Sequence, residues 1–186
     1  MRLFVAIAIS EEIRRSLALF LNELRVIAPK VRWARPENLH LTLKFIGEAE
    51  PATLKQIENV LTTVRTSGPL DLEFHGLGFF PNAKRPRVFW AGVRSTENLA
   101  VLAHSIDIAL HTLGFPLETK AFAPHVTLAR FNSSVPRPDL SAMEKNHSHQ
   151  TFGSMVTSEF HLIESRLKPS GAEYTNVQSF TFFTGS

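Results

Sequence analysis

The chain has 186 residues, 44% hydrophobic and 20% charged, which suits one domain or two small lobes sharing a core and excludes a disordered or fibrous chain. It contains no cysteine, so disulfides and thiolate metal sites are excluded and the cytoplasm is the default setting. The net charge of +3 permits a polyanionic partner without demanding one.

No apolar run is long enough to span a bilayer, so no membrane association is expected. The opening MRLFVAIAIS lacks a basic leader and a small-residue cleavage site, and EEIRR follows at once, so residues 2–9 read as a buried first strand. Ser10 is an N-cap, with Glu11 and Glu12 in the first turn of a helix. Ile13, Leu17, Phe20, Leu24 and Ile27 recur at helical spacing, and Pro29 ends the element. Residues 39–46 form the next strand. Pro51 opens a second helix carrying Leu54, Ile57, Leu61 and Val64.

Residues 70–80 and 87–94 read as two strands, joined by a loop that brings Lys84, Arg85 and Arg87 together. Those cations would steer phosphates or simply be solvated. A third helix runs from about residue 96 to 113, with Leu99, Leu102, Ile106, Ala109 and Leu113 on one face and Gly114 as its C′ residue. Residues 125–131 form another strand, and the Ser- and Pro-rich stretch 132–138 a loop. A short helix near 140–145 and two late strands, about 159–165 and 174–183, complete the chain. Helices do not separate every strand pair, which favours an α+β fold with mostly antiparallel sheet.

One internal echo carries the chemistry. His40-Leu41-Thr42-Leu43 and His125-Val126-Thr127-Leu128 share the form His-apolar-Thr-Leu and lie 85 residues apart, close to half the chain. Strand alternation places His40, Thr42 and Lys44 on one face, and Leu41, Leu43 and Phe45 on the other. His125, Thr127 and Ala129 likewise share a face. Related by a pseudo-two-fold axis, the two polar faces would meet across a groove. In-line cleavage of a phosphodiester needs a base on the attacking oxygen and an acid on the leaving oxygen. Two imidazoles with unperturbed pKa near ~6.5 can divide those roles near neutrality. Thr42 and Thr127 hydroxyls can donate to the non-bridging phosphate oxygens. Lys44 is a candidate for substrate binding through its positive potential.

HLTLKFIGE and PHVTLAR resemble the two signature motifs of the two-histidine (2H) phosphoesterases. The chain is similar more narrowly to the RNA 2′,3′-cyclic phosphodiesterase branch, once named 2′-5′ RNA ligases. The likeness extends through RLFVAI, RWARPENLHLTLKFIGE, GLGFFPNAKRPRVFWAGV, APHVTLAR and LIESRLKPSGAEY. The resemblance implies a bilobal α+β fold, two antiparallel sheets around a central cleft with helices outside, in a single catalytic domain spanning residues 1–186. It implies hydrolysis of RNA or nucleotide 2′,3′-cyclic phosphates to 2′-phosphomonoesters, with His40 as proton donor, His125 as proton acceptor, and Thr42 and Thr127 on the phosphate. No cofactor or metal is expected, and a monomer is the default. Arg130 matches a motif arginine, but strict alternation puts it opposite His125. Either a bulge or the strand end re-aims it toward substrate, or it serves structure.

Among the other residues, Trp33, Phe45 and Phe131 flank the motifs and are candidates for base stacking, although Phe45 has core parity. His104 and His111 read as solvated, His147 and His149 as exposed, and His75 and His161 as packed. Ligation at the same site is the microscopic reverse of hydrolysis and a competing reading. A non-catalytic RNA-binding protein would have no reason to keep both histidines and both threonines. A metal-dependent phosphohydrolase would need a carboxylate–histidine cluster, and none is evident.

Overall fold

The computed structural model describes residues 1–96, 98–131, 140–169 and 171–185. The expected loop at 132–138 lies outside them. The chain runs β1 (Arg2–Ala8), α1 (Glu11–Ile27), β2 (His40–Glu48), α2 (Leu54–Thr62), β3 (Leu70–Phe80), β4 (Val88–Ser95), α3 (Asn98–His111), β5 (His125–Arg130), α4 (Ser141–Asn146), β6 (Thr151–Thr157), β7 (Glu159–Lys168) and β8 (Gly171–Thr181).

Local sequence explains the element ends. Ser10 accepts a bond from the Ile13 N–H at 3.3 Å, and Glu11 and Glu12 sit where the helix dipole favours them. Ile13, Leu17, Phe20, Leu21 and Leu24 form the buried stripe of α1, which packs against β6. Ile27, counted with that stripe in the sequence, is exposed at the helix end. Gly114 has φ +90° and its N–H closes on the His111 carbonyl at 2.9 Å, the C-terminal device the sequence announces.

The strands are antiparallel and run in the order β6-β3-β4-β5-β2-β1-β7-β8. The two expected sheets are the two four-stranded halves of this order. They meet at β2 and β5, where the paired residues are Leu41 and Val126. The halves have matching inner plans: β1 leads through α1 to its antiparallel neighbour β2, and β4 leads through α3 to β5. The motif strands are thus the innermost strand of each half, and their apolar residues Leu41, Leu43, Val126 and Leu128 are all buried in one core cluster.

Strand β6 has no counterpart in the sequence reading. Among the described residues it pairs only with β3, at the sheet's edge, and it buries Phe152 alone among its residues, so it lacks the apolar alternation that marks a strand. The β7–β8 hairpin also runs farther than expected, to Lys168 opposite Gly171. Its tip holds exposed Leu167 and the Lys168–Glu173 ion pair, stabilised by pairing rather than burial.

Candidate active site

The two motif strands are equivalent residue by residue against their neighbours. Ala8 opposes His40, Ile7 opposes Leu41, Ala6 opposes Thr42, Val5 opposes Lys44 and Phe4 opposes Phe45. In the other half Gly92 opposes His125, Ala91 opposes Val126, Trp90 opposes Thr127, Phe89 opposes Ala129 and Val88 opposes Arg130. Directly after each threonine the register skips one residue, Leu43 in β2 and Leu128 in β5, and β2 skips a second, Ile46, farther along. A bulge therefore follows each threonine, and it inverts the parity of the two residues after it, Lys44 and Phe45 in β2 and Ala129 and Arg130 in β5. Leu43 and Lys44 are both buried, as are Leu128 and Ala129, and the next residue of each strand is exposed.

Three sequence-based placements change as a result. Arg130 returns to the face of His125 and Thr127, so of the two alternatives the bulge applies. Phe45, expected in the core, is 53% exposed and lines the cleft. Lys44, expected beside His40 and Thr42, borders the same cleft but is only 4% exposed. Its ammonium lies 2.7 Å from Asp107 Oδ1, donates to the Pro116 carbonyl at 2.7 Å and to Glu118 Oε1 at 3.1 Å, so three oxygens surround it.

Both histidines are held by the same local device. His40 Nδ1 lies 2.7 Å from the Asn38 carbonyl, and His125 Nδ1 lies 2.7 Å from the Ala123 carbonyl. A carbonyl only accepts, so in both rings Nδ1 carries the proton and Nε2 is left for acid–base work. His40 packs against Phe4 and edge-on to Tyr174, with centroids at 4.8 and 5.3 Å. His125 meets Phe80 edge-on at 4.9 Å and lies 6.3 Å from Trp90. Gly78 permits that wall, because a Cβ there would lie 2.2 Å from the Trp90 ring.

Burial is the main cause that lowers the pKa of His40, to about 4; the Asn38 bond raises it, and the Arg130 and His125 charges lower it again. His125 is also lowered, first by burial and then by Arg130, against the Ala123 bond. Arg130 thus acts on both imidazoles, which ties it electrostatically to each half.

The cleft between the halves has a volume of about 1060 Å³, and Thr42, Phe45, Phe80, His125 and Arg130 are among its lining residues. Arg85, Arg87 and Lys120 also line it, while Lys84 does not. Among the described residues none of Arg85, Arg87, Lys120 and Arg130 has a carboxylate within ion-pair distance, whereas both lining carboxylates, Asp107 and Glu118, contact Lys44. The space is therefore apolar-walled and positively charged, with hydroxyl and imidazole donors, a combination suited to a phosphate attached to an aromatic base.

Trp33 belongs to the core, and its Nε1–H donates to the Ala28 carbonyl at 3.0 Å. Phe131 is partly buried against the same cluster. His104 and His111 are exposed as expected, with His104 at the cleft wall. His147, expected to be exposed, is partly buried edge-on to Phe20 and bonds Gln150. His161 meets Ser179 at 2.8 Å. Among the described residues no three His, Asp or Glu side chains converge as metal ligands. The sequence reading missed Phe4, Tyr174, Phe80, Trp90 and Asp107. The aromatic residues read as ordinary strand material, and Asp107 interrupts the apolar run of α3, a signal that marks a buried charge only once Lys44 is known to face it.

A two-lobed antiparallel fold with paired His-x-Thr strands adjacent at its centre defines a phosphoesterase class. The chain belongs to the LigT-like phosphoesterase family, matching its description over residues 7–90 and 93–174, one motif in each stretch. It is 37% identical to the RNA 2′,3′-cyclic phosphodiesterase of Archaeoglobus fulgidus, over 97% of this chain and 99% of that one. It is 34% identical to the protein of the same description from Methanothermobacter thermautotrophicus, over 96% and 97%. The crystal structure of TT0787 of Thermus thermophilus superposes with a TM-score of 0.81 at 30% identity, covering 98% of each chain. E. coli LigT complexed with 3′-AMP superposes at 0.76 with 26% identity, again over 98% of each. Among the described residues no helix is long and apolar enough to cross a membrane.

Proposed function

We propose that this chain hydrolyses 2′,3′-cyclic phosphate ends of RNA to 2′-phosphomonoesters, with His40 and His125 as acid and base. His125 Nε2 takes a proton from water as the water oxygen bonds to phosphorus. The P–O3′ bond breaks, and the proton on His40 Nε2 goes to O3′. Thr42 and Thr127 donate hydroxyl bonds to the non-bridging oxygens, and Arg130 balances their charge. Burial lowers the pKa of His40 and so opposes its acid form; an anionic phosphate beside the ring acts in the other direction and favours the protonated imidazole.

The observation that carries the reading is the shared register: each histidine, threonine and bulge recurs at the same place against its neighbouring strand, and the Arg130 charge acts on both imidazoles, one from each half. The relatives described as RNA 2′,3′-cyclic phosphodiesterases, and a relative crystallised with 3′-AMP, support the substrate class. One chain supplies both motifs, so the proposed enzyme is a monomer and one catalytic domain. Its proposed setting is the cytoplasm, in keeping with the cysteine-free sequence.

The test is incubation with a nucleoside 2′,3′-cyclic phosphate in excess EDTA, with the product followed by phosphorus NMR. A 2′-phosphate product is expected. A 3′-phosphate would reverse the leaving oxygen, and no turnover on either this compound or a cyclic-phosphate-ended oligonucleotide would overturn the reading.

A further inference from the structure

Each bulge is held by a segment of the chain that leads into the other motif. In β5, the Leu128 carbonyl accepts the Ala34 N–H at 2.7 Å, and Trp33 pairs as a strand bridge with Ala129. Trp33 and Ala34 lie just ahead of the turn that delivers His40, and the Trp33 side chain is anchored to Ala28 at the end of α1. In β2, the residue equivalent to Ala129 is Lys44. Its ammonium holds the Pro116 carbonyl and Glu118, which lie just ahead of the segment that delivers His125. Asp107 of α3 completes the second clamp: it lies 2.7 Å from Lys44 and accepts the Glu118 N–H at 3.0 Å.

The halves need such a device because β2 and β5 are joined at Leu41 and Val126 with no longer ladder between them. A backbone bridge serves one side. On the other no strand pairing is present among the described residues, and the buried Lys44–Asp107 pair with the exposed Glu118 stands in its place. Apolar contact there would fill the volume but leave the segment free to slide, whereas a bond to a carbonyl is directional.

We infer that Lys44 and Asp107 are positioning residues: with Trp33 and Ala34 they form a reciprocal clamp that sets the spacing of His40 and His125 across the cleft. The inference rests on the proposed two-histidine reaction. Lys44 touches no substrate in this assignment. It acts through Pro116 and Glu118 on His125, and through its own bulge on Thr42 and His40.

The experiment replaces the buried pair with apolar residues of similar size, Lys44→Met with Asp107→Leu, since such swaps often leave a fold intact. Turnover of a nucleoside 2′,3′-cyclic phosphate, melting temperature and histidine-ring NMR titrations are read on the parent and the variant. The expected result is a melting temperature within a few degrees of the parent and kcat lower by about 100-fold, the cost of roughly 1 Å of misplacement, with KM changed by less than about threefold. Ring resonances of both histidines should move, although Lys44 reaches His125 only through the clamp. A folded variant with kcat within about threefold of the parent overturns the clamp, as does a lower melting temperature with turnover per folded molecule unchanged. If the double variant does not fold, Asp107→Asn is measured in its place; kcat lower by about threefold or more upholds the clamp, and parental kcat overturns it. If the parent itself turns over no cyclic phosphate, the failure belongs to the proposed reaction, and the ring titrations still decide: unmoved resonances overturn the clamp.

Discussion

Phe45 and Arg130 occupy the same position in the two motif strands, opposite Phe4 and Val88, and both stand on the cleft face because a bulge precedes each. One half thus offers a flat apolar ring where the other offers a guanidinium. A nucleotide end has the same two parts, a base and a phosphate, and the asymmetry at this position gives the cleft a direction.

For Phe45→Ala, KM for a cyclic nucleotide is expected to rise about tenfold, within the range for one lost base-stacking contact. Stability should fall by less than about 1 kcal/mol, because the ring is 53% exposed; truncating a core Phe costs ~3–5 kcal/mol. Urea unfolding beside steady-state kinetics separates the two. A large loss of stability with KM unchanged would return Phe45 to a structural role.

Arg130→Gln should release both imidazoles from the same positive charge. The pKa values of His40 and His125 are then expected to rise together in an NMR titration, since the guanidinium lowers each. KM should rise as well, by about tenfold or more, as a charge-assisted contact to phosphate is lost. A rise confined to one histidine would place Arg130 in one half only.

His40→Ala and His125→Ala should each lower kcat by ~10²–10⁴-fold. The two will differ in stability. His40 is wedged between Phe4 and Tyr174, so its truncation should cost about 1 kcal/mol more than that of the less buried His125. Equal turnover in either variant and the parent would remove that histidine from the mechanism.

Stability should depend on acidity in a defined direction. The folded chain keeps His40 neutral down to about pH 4, while the unfolded chain protonates it near 6.5. Between those values the unfolded state binds more protons, so stability falls as pH falls, by roughly 3 kcal/mol across the window from this residue. Above pH 6.5 the contribution is constant. His40→Asn should reduce the slope and leave the part due to His125 and His161, which are lowered in the same direction; urea titrations at about pH 4.5, 5.5 and 7 would read the difference.

Gly78→Ala tests the wall behind His125. The added methyl meets the Trp90 ring, which must shift and so disturb its contacts with Phe80 and His125. A loss of ~1–3 kcal/mol and a reduced kcat/KM are expected, together with changed tryptophan fluorescence.

How far the sequence could be read depends on the range of each signal. Helix α1 was legible from Ser10 to Leu24 because capping and a 3.6-residue stripe are local. The strands that carry His40, Thr42, His125 and Thr127 were legible because the motif repeats. Parity failed at Lys44 and Phe45, and was ambiguous at Arg130, for one reason: a bulge exists only between two strands, and the partner strand is not nearby in sequence. Asp107 was illegible for a related reason, since its meaning depends on a lysine sixty-three residues earlier. Edge strand β6, with one buried side chain, carried too little apolar pattern to be seen.

By itself the sequence determined the fold class, the element order through β5 and the matched pattern of the two motif strands, because hydrophobic period, caps and an internal repeat are written along the chain. Tertiary structure decided which side chains beyond the threonines face the cleft, the burial that lowers both histidines, and the cross-braces from Ala34 to Leu128 and from Lys44 to Pro116. Those properties belong to contacts between segments far apart in the chain, and local pattern holds no record of which distant partner a residue will meet.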